Sequence, residues 1–292
     1  MNKVKDYLQL IKLSLSIMVV FSSVISYLLA PKVVEYEWVM IGLLFAGGML
    51  VTGSANAINQ VVEKDTDAMM KRTAKRPVAA GRMSVTEGWA FAIITGMAGV
   101  FILWYFFNGL AAGLAAFSLF LYAFIYTPLK KVNSIAVLVG AVPGALPCLI
   151  GWAAGEDALS AGGWILFGIQ FLWQFPHFWA IAWIAHSDYA NAGFKLLPAD
   201  KGPTKFTALQ TLIYSLLLIP VTLLPYFTGM CSYAGAAGVI SLALVVLANL
   251  FMTGRSAALY RKMDVSSARK VMFGSYLYLP VVLLALLMSK SV

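Results

Sequence analysis

Apolar and polar positions along this chain alternate on a coarse scale. Long runs with scarcely a charge are separated by short polar segments. Nine apolar runs, at roughly 11–30, 38–62, 86–106, 109–126, 133–152, 161–186, 207–228, 231–252 and 270–289, match the about 20 residues a helix needs to cross a bilayer. The pattern predicts an all-α, polytopic membrane protein, a bundle of about nine transmembrane helices forming a single domain over residues 1–292 with no soluble module. Two runs carry internal detail. The second is rich in small residues (Gly42, Ala46, Gly47, Gly48, Gly53, Ala55, Ala57), which let helices approach closely in lipid, and its Asn56 is expected to bond a neighbouring helix. The fifth holds Gly140, Pro143, Gly144 and Pro147, so it must kink or break, and the carbonyls this frees need partners or a cavity.

Composition agrees with lipid as the main solvent: of 292 residues, 61% are hydrophobic and 11% charged, and the mean hydropathy is +0.84. The net charge of +9 might suggest nucleic acid, but no basic helix and no aromatic ladder set among basic residues supports that partner. Its distribution explains it instead. With the N-terminus in the cytoplasm, all but two of the 21 Lys and Arg fall in inner connections, and only Lys32 and Lys290 lie outside. That bias fits nine spans of an inner-membrane protein with the C-terminus outside. The first run follows Lys3, Lys5 and Lys12 as a signal peptide would, but it is long and further spans follow, so it reads as a retained helix. Cys148 and Cys231 sit in apolar runs without metal-site spacing and read as small core residues.

The most informative polar stretch runs from Asn59 to Pro77. Asn59, Glu63 and Asp67 are spaced by four, which places them one turn apart on one helix face if the second helix continues, while Asp65 points elsewhere. Oxygen ligands in that array suit a hard cation such as Mg2+, which bridges carboxylates to a phosphate they would otherwise repel. Lys71, Arg72, Lys75 and Arg76 follow at once. A charged loop capping a membrane helix would account for the basic residues but not for the spacing of the ligands. Lys12, at the start of the first run, reads either as a side chain reaching the headgroups or as a contact to an anionic substrate. Tyr126-Thr127-Pro128-Leu129-Lys130 reads equally as a helix exit or as a lysine turned to an anion. The sixth run holds Trp173-Gln174-Phe175-Pro176-His177-Phe178-Trp179, where His177 is either a hydrogen-bonded core residue or a functional group.

These stretches resemble the intramembrane prenyltransferases of the UbiA type. The Asn59–Asp67 spacing with the basic run behind it is similar to that superfamily's first acidic motif. The Pro176-His177-Phe178-Trp179 segment and Asp188-Tyr189-Ala190-Asn191-Ala192-Gly193 are similar to its haem-prenylating branch. That branch usually has Asp where this chain has Glu63, and the wider superfamily has a second Asp where this chain has Ala192. The resemblance implies a nine-helix bundle around a cavity open to lipid, and farnesyl transfer from farnesyl diphosphate to a vinyl group of haem B, a substrate rather than a cofactor. It implies that Asn59, Glu63 and Asp67 hold Mg2+ with Asp188 as a further ligand, and that Lys71, Arg72, Arg76 and Lys130 neutralise the diphosphate. It places His177 on the haem side, as iron ligand or orienting partner, and implies contact with membrane lipid and with haem-delivery or haem-modifying proteins. A related prenyltransferase acting on an aromatic quinone precursor, or a transporter with polar groups in its helices, are the other readings. The charges gathered at one face argue against the transporter.

The topology expectation is directly checkable. Cysteines introduced in 63–87, 187–206 and 253–270 should all resist an impermeant thiol reagent applied outside intact cells. Strong labelling in any one of these segments would overturn the nine-span reading.

Overall fold

The computed structural model describes residues 3–198 and 202–291; Lys201, counted above in an inner connection, lies outside them. Eight helices are long and apolar enough to cross a membrane: α3 (Trp38–Val62), α5 (Val85–Phe106), α6 with its continuation (Gly109–Leu129), α8 (Ala136–Glu156), α9 (Ala161–Ile184), α11 (Lys205–Phe227), α12 (Gly235–Lys262) and α13 (Val265–Met288). The pair α1 (Lys3–Leu10) and α2 (Leu13–Leu29), bent by 48°, passes the same test of length and composition when taken together, and counted as one span it brings the described residues to nine. Short helices α4 (Lys64–Met69), α7 (Thr127–Leu129) and α10 (His186–Asn191) lie at the polar end, and Leu121–Tyr126 form a π-helical turn ahead of α7. The expected all-α, multi-pass membrane bundle is what the chain forms.

Several boundaries differ from expectation. The first crossing begins at Lys3, not residue 11, because Lys12 takes a left-handed conformation (φ 50°) that breaks the helix without ending it. The segment 253–270, expected as a connection, is helical up to Lys262 and again from Val265. Hydropathy finds where a helix lies in lipid, not where it stops: 28 residues of α12 reach about 42 Å at about 1.5 Å per residue, well beyond the about 30 Å hydrocarbon core.

In lipid, every backbone group freed by a break needs a protein partner, and the breaks here are filled by side chains from the next helix. At the α1–α2 break, Gln60 Nε2 donates to the carbonyls of Gln9 (3.0 Å) and Leu10 (2.9 Å). Asn56 Nδ2 donates to Ile11 (3.1 Å) and to Ser16 Oγ (3.1 Å), so it bonds the neighbouring helix as expected. α8 runs unbroken from Ala136 to Glu156 through Pro143 and Pro147; Ser118 donates to Pro143 O (3.3 Å), the carbonyl that Pro147 leaves without its helical donor, and Gln170 and Gln174 add bonds to Gly144 O (2.8 Å) and Ala141 O (3.0 Å). The small residues of α3 work as predicted: Gly99 of α5 lies so close that a Cβ there would sit 2.8 Å from the Gly47 carbonyl. Cys148 and Cys231 are buried core residues. At the other end, Lys290 Nζ donates to three carbonyls, of Leu28, Ala30 and Val33 (2.8, 2.9 and 2.6 Å), tying the end of α13 to the end of α2.

Removing a filler exposes its cost. Gln60→Leu keeps apolar bulk but strips donors from two carbonyls, each worth about 1–3 kcal/mol when buried. The expected result is a clear fall in the midpoint of reversible unfolding in mixed micelles. An unchanged midpoint would mean that water, not Gln60, satisfies the break.

Candidate active site

The acidic ligands do come together, although the helix carrying them is broken. α3 ends at Val62, Glu63 sits at the junction (φ −94°, ψ 13°), and α4 resumes at Lys64. Two backbone bonds bridge the junction, Glu63 N to Asn59 O (3.0 Å) and Asp67 N to Glu63 O (2.7 Å), so the four-residue pitch survives. Asn59, Glu63 and Asp67 are all buried, and Asp65 is exposed, as expected.

Each of the three expected ligands meets a cation of the chain itself. Lys130 Nζ lies 2.6 Å from Glu63 Oε1. Arg76 Nη1 donates to both oxygens of Asp67, at 2.8 and 2.7 Å. Lys12 Nζ donates to Asn59 Oδ1 at 3.1 Å, and Asn59 Nδ2 is buried with no partner. Local folding explains each pairing. The chain after α4 turns back, with Thr73 Oγ1 donating to Asp67 O (2.9 Å), and that turn brings Arg76 over the carboxylate. Arg82 anchors the same turn to α1 through Asp6 (2.8 Å) and Gln9 (2.9 Å). The left-handed bend at Lys12 points its side chain along α3, within electrostatic reach of Glu63, Asp67, Arg76 and Lys130. Lys130 also lies over the rings of Tyr126 (4.7 Å) and Phe194 (5.6 Å), which favours a cation there.

The remaining expected residues are spread more widely. Arg72 is exposed and bonds Tyr189 OH at 2.7 Å, joining the loop after α4 to α10. Lys71 is exposed beside it. Asp188 is half-exposed on α10, whose Tyr189 meets Arg72 and whose C-terminal neighbour Ala192 packs with Met70 and Phe194. Two buried carboxylates, an amide oxygen and surrounding cations still fit Mg2+, which takes one or two protein carboxylates and shares the rest of its shell with phosphate and water.

Below Asn56 an apolar cavity of about 100 Å3 opens, lined by residues such as Val20, Gly48, Thr52, Tyr122 and Pro147. A larger, shallower hollow of about 520 Å3 lies at the opposite end around Tyr27, Lys32 and Glu37, away from the acidic pair. His177 is buried but faces α13, not this cavity. Its Nδ1 lies 2.7 Å from Ser275 Oγ, and its ring stacks on Trp173 (5.0 Å, 14°) and meets Tyr276 edge-on. Ser275 Oγ is also placed to donate to Met272 O (2.6 Å), which fits the tautomer with its proton on Nδ1. Sequence reading left the role of Lys12 open and passed over Tyr122, whose ring lies 5.2 Å from that of Tyr126. The regular spacing of Tyr122, Tyr126 and Lys130 was the available signal.

The comparisons with known proteins come from sequence and from structure. The profile of the UbiA prenyltransferase family matches residues 19–285. The chain is 42% identical over 291 residues to a protoheme IX farnesyltransferase of Cytophaga hutchinsonii, covering 99% of each. It is 37% identical over 284 residues to the mitochondrial protoheme IX farnesyltransferase of Arabidopsis thaliana, covering 97% of this chain and 64% of that one. Among solved structures it is similar to a digeranylgeranylglyceryl phosphate synthase (TM-score 0.79, 21% identity, 99% of each chain covered). It is also similar to a UbiA homologue from Archaeoglobus fulgidus bound to GPP and Mg2+ (TM-score 0.73, 13% identity, 96% and 99% covered).

The ion pairs allow stability and chemistry to be separated. Asp67→Asn should lower turnover at least about 100-fold and also destabilise the fold, by somewhat less than the about 3–5 kcal/mol of a fully buried broken pair, because Arg76 keeps 21% of its side chain exposed. Adding Arg76→Gln should recover much of the stability, read by thermal unfolding, and none of the turnover. Recovery of both would make Asp67 a purely structural partner.

Proposed function

The chain belongs to the UbiA prenyltransferase family and is a prenyltransferase; from that premise we propose that it transfers the farnesyl group of farnesyl diphosphate to a vinyl group of haem B, with addition of water. The observation that carries the reading is the Asn59–Glu63–Asp67 array with Lys12, Lys130 and Arg76 turned onto it, on the continuation of the α3 segment that walls an apolar cavity through Thr52, Ala55 and Asn56. The full-length likeness to protoheme IX farnesyltransferases supports the choice of prenyl group and acceptor.

In this reading Asn59, Glu63 and Asp67 would hold Mg2+, which when bound supplies positive charge against the phosphate oxygens. Lys130, Arg76 and Lys12 stabilise the leaving diphosphate, with Arg72 and Lys71 at the entrance. These are fixed charges in a site largely closed to water, where they act more strongly than in solution. The farnesyl chain lies in the cavity, because each buried CH2 favours it by about 0.8 kcal/mol. The C1–O bond breaks and its electron pair leaves with the diphosphate, giving an allylic cation. The π pair of the vinyl group forms the new C–C bond through its terminal carbon. The cation left next to the macrocycle takes a water oxygen, and one proton is released. His177, held by Ser275 with Nε2 free, is on the haem side, as iron ligand or as an acceptor that orients the porphyrin. Asp188, on α10, is the further candidate ligand. The protein sits in the inner membrane with the acidic end in the cytoplasm, where farnesyl diphosphate is soluble.

The deciding experiment offers purified protein Mg2+, farnesyl diphosphate and either haem B or 4-hydroxybenzoate. Expected is a porphyrin product heavier by one farnesyl group and one hydroxyl, with no prenylated benzoate. Haem binding to wild type should shift the haem absorption, and His177→Ala should change that shift. Prenylated benzoate without a haem product would move the activity to another acceptor class.

A further inference from the structure

The cavity below Asn56 has a definite depth, and on the prenyl diphosphate reading above that depth measures the donor. Its lining runs from Leu15 to Ser23 on α2, from Asn56 to Gly48 on α3, from Tyr122 to Ala115 on α6 and its π-helical turn, and from Pro143 to Ile150 on α8. At about 1.5 Å per residue each run is about 10–12 Å deep. Asn59 stands one turn above the rim, so the C1–O bond of a diphosphate held there lies at the mouth and the chain points to the floor. An isoprene unit adds four chain bonds, about 5 Å at the about 1.2 Å per bond of an extended polypeptide. Two units then reach about 8 Å from C1, three about 13 Å and four about 18 Å. Only three units end at the floor.

The two ends of the cavity differ in what can move. Near the mouth Leu15 is 51% exposed, and Thr52, Ser118, Leu119 and Tyr122 are half-buried, so this part of the wall can spread toward lipid. Entry requires it, because the ligand-free cavity of about 100 Å3 equals about three liquid-water volumes of about 30 Å3 each, less than a fifteen-carbon chain. The floor is locked. Gly151, next to Ile150, lies so close to α2 that a Cβ there would overlap the Ser23 carbonyl, and a Cβ on Gly48 would sit 3.1 Å from Val20. With Gly99 against Gly47 at the same depth, neither α2 and α8 nor α3 and α5 can part without losing a backbone contact. One turn further out Ser26, Leu44, Ala112 and Ala153 are all buried and close the bundle. Leu103 of α5 and Ile150 of α8 are the longest side chains standing on that floor, and both are buried.

We propose that Leu103 and Ile150 select the length of the prenyl donor, by ending the cavity at three isoprene units. The test gives purified protein Mg2+, haem B and geranyl, farnesyl or geranylgeranyl diphosphate in turn, and compares kcat/KM among the donors. Wild type should favour farnesyl over each neighbour by at least about tenfold, the low end of the roughly 10–200-fold that an apolar pocket achieves for one methylene. Leu103→Ala combined with Ile150→Ala should raise the geranylgeranyl-to-farnesyl ratio at least about tenfold, giving a porphyrin product heavier by one isoprene unit. Ala115→Leu, which fills the floor from α6, should move the preference toward geranyl. Each readout is a ratio between donors in one preparation, so loss of folded protein cancels. A wild type that uses geranylgeranyl as well as farnesyl, or a ratio unmoved by the double variant, would mean that the chain turns out between helices into lipid. Either result would overturn the proposal and leave the transfer reading intact. Absence of transfer to haem from every donor would remove both. Should the double variant fail to fold, Ile150→Val, shorter by one methylene, should move the ratio the same way, and an unmoved ratio there overturns the proposal equally.

Discussion

A polar group inside a bilayer has no water to fall back on, and this bundle is arranged around that fact. Its helices break where the site needs them to, and each break persists because a neighbouring side chain takes the freed carbonyls. Asn56 and Gln60 hold the α1–α2 break open, and the left-handed residue at that break is Lys12, which reaches Asn59 one residue along the same face of α3. The repair of the backbone and the delivery of a cation to the ligand array are one arrangement. α8 repeats the logic: Pro143, Gly144 and Pro147 line the cavity, and Ser118 and Gln170 satisfy carbonyls of that same stretch. The cavity keeps a mainly apolar lining while Ser118, itself in the wall, takes up the carbonyl that Pro147 leaves free.

The same constraint explains why the ligand-free site is full of its own charges. Glu63 and Asp67 are almost wholly buried, and an unpaired carboxylate in such a place would either neutralise or unfold its surroundings. Lys130 and Arg76 are therefore structural counter-ions before they are anything else. Such pairs give little net stability, because desolvation offsets most of the attraction.

Much of this was legible in the chain, for reasons that mark what sequence can carry. Spans follow from hydropathy because lipid imposes it locally. The Asn59–Glu63–Asp67 face was readable from spacing and survived a helix break, since the two backbone bonds at Glu63 preserve the pitch. What could not be read depends on residues far apart. Arg76 reaches Asp67 only because the chain after α4 turns back, and Arg72 meets Tyr189 across 117 positions. Asp188 was expected as a further ligand because it keeps the first position of the superfamily's second acidic motif; the structure places it on α10 beside Tyr189, which bonds Arg72. The exit of α12 was misplaced because an apolar profile fades before the helix does.

α9 carries its polar groups as two neighbouring stripes. Gln170 and Gln174 turn to α8 and bond the carbonyls of Gly144 and Ala141, while Trp173 and His177, each three positions on from one of those glutamines, meet Ser275 of α13. Residues three or four apart share a face, so the two pairs form adjacent stripes on one element. Trp173 donates to Ser275 O (2.8 Å) and His177 Nδ1 lies 2.7 Å from Ser275 Oγ, so both aromatic rings are fixed by a single residue of α13. Pro176 removes the backbone donor that would tie this turn to Leu172, and the side-chain bonds to α8 and α13 hold the turn in its place.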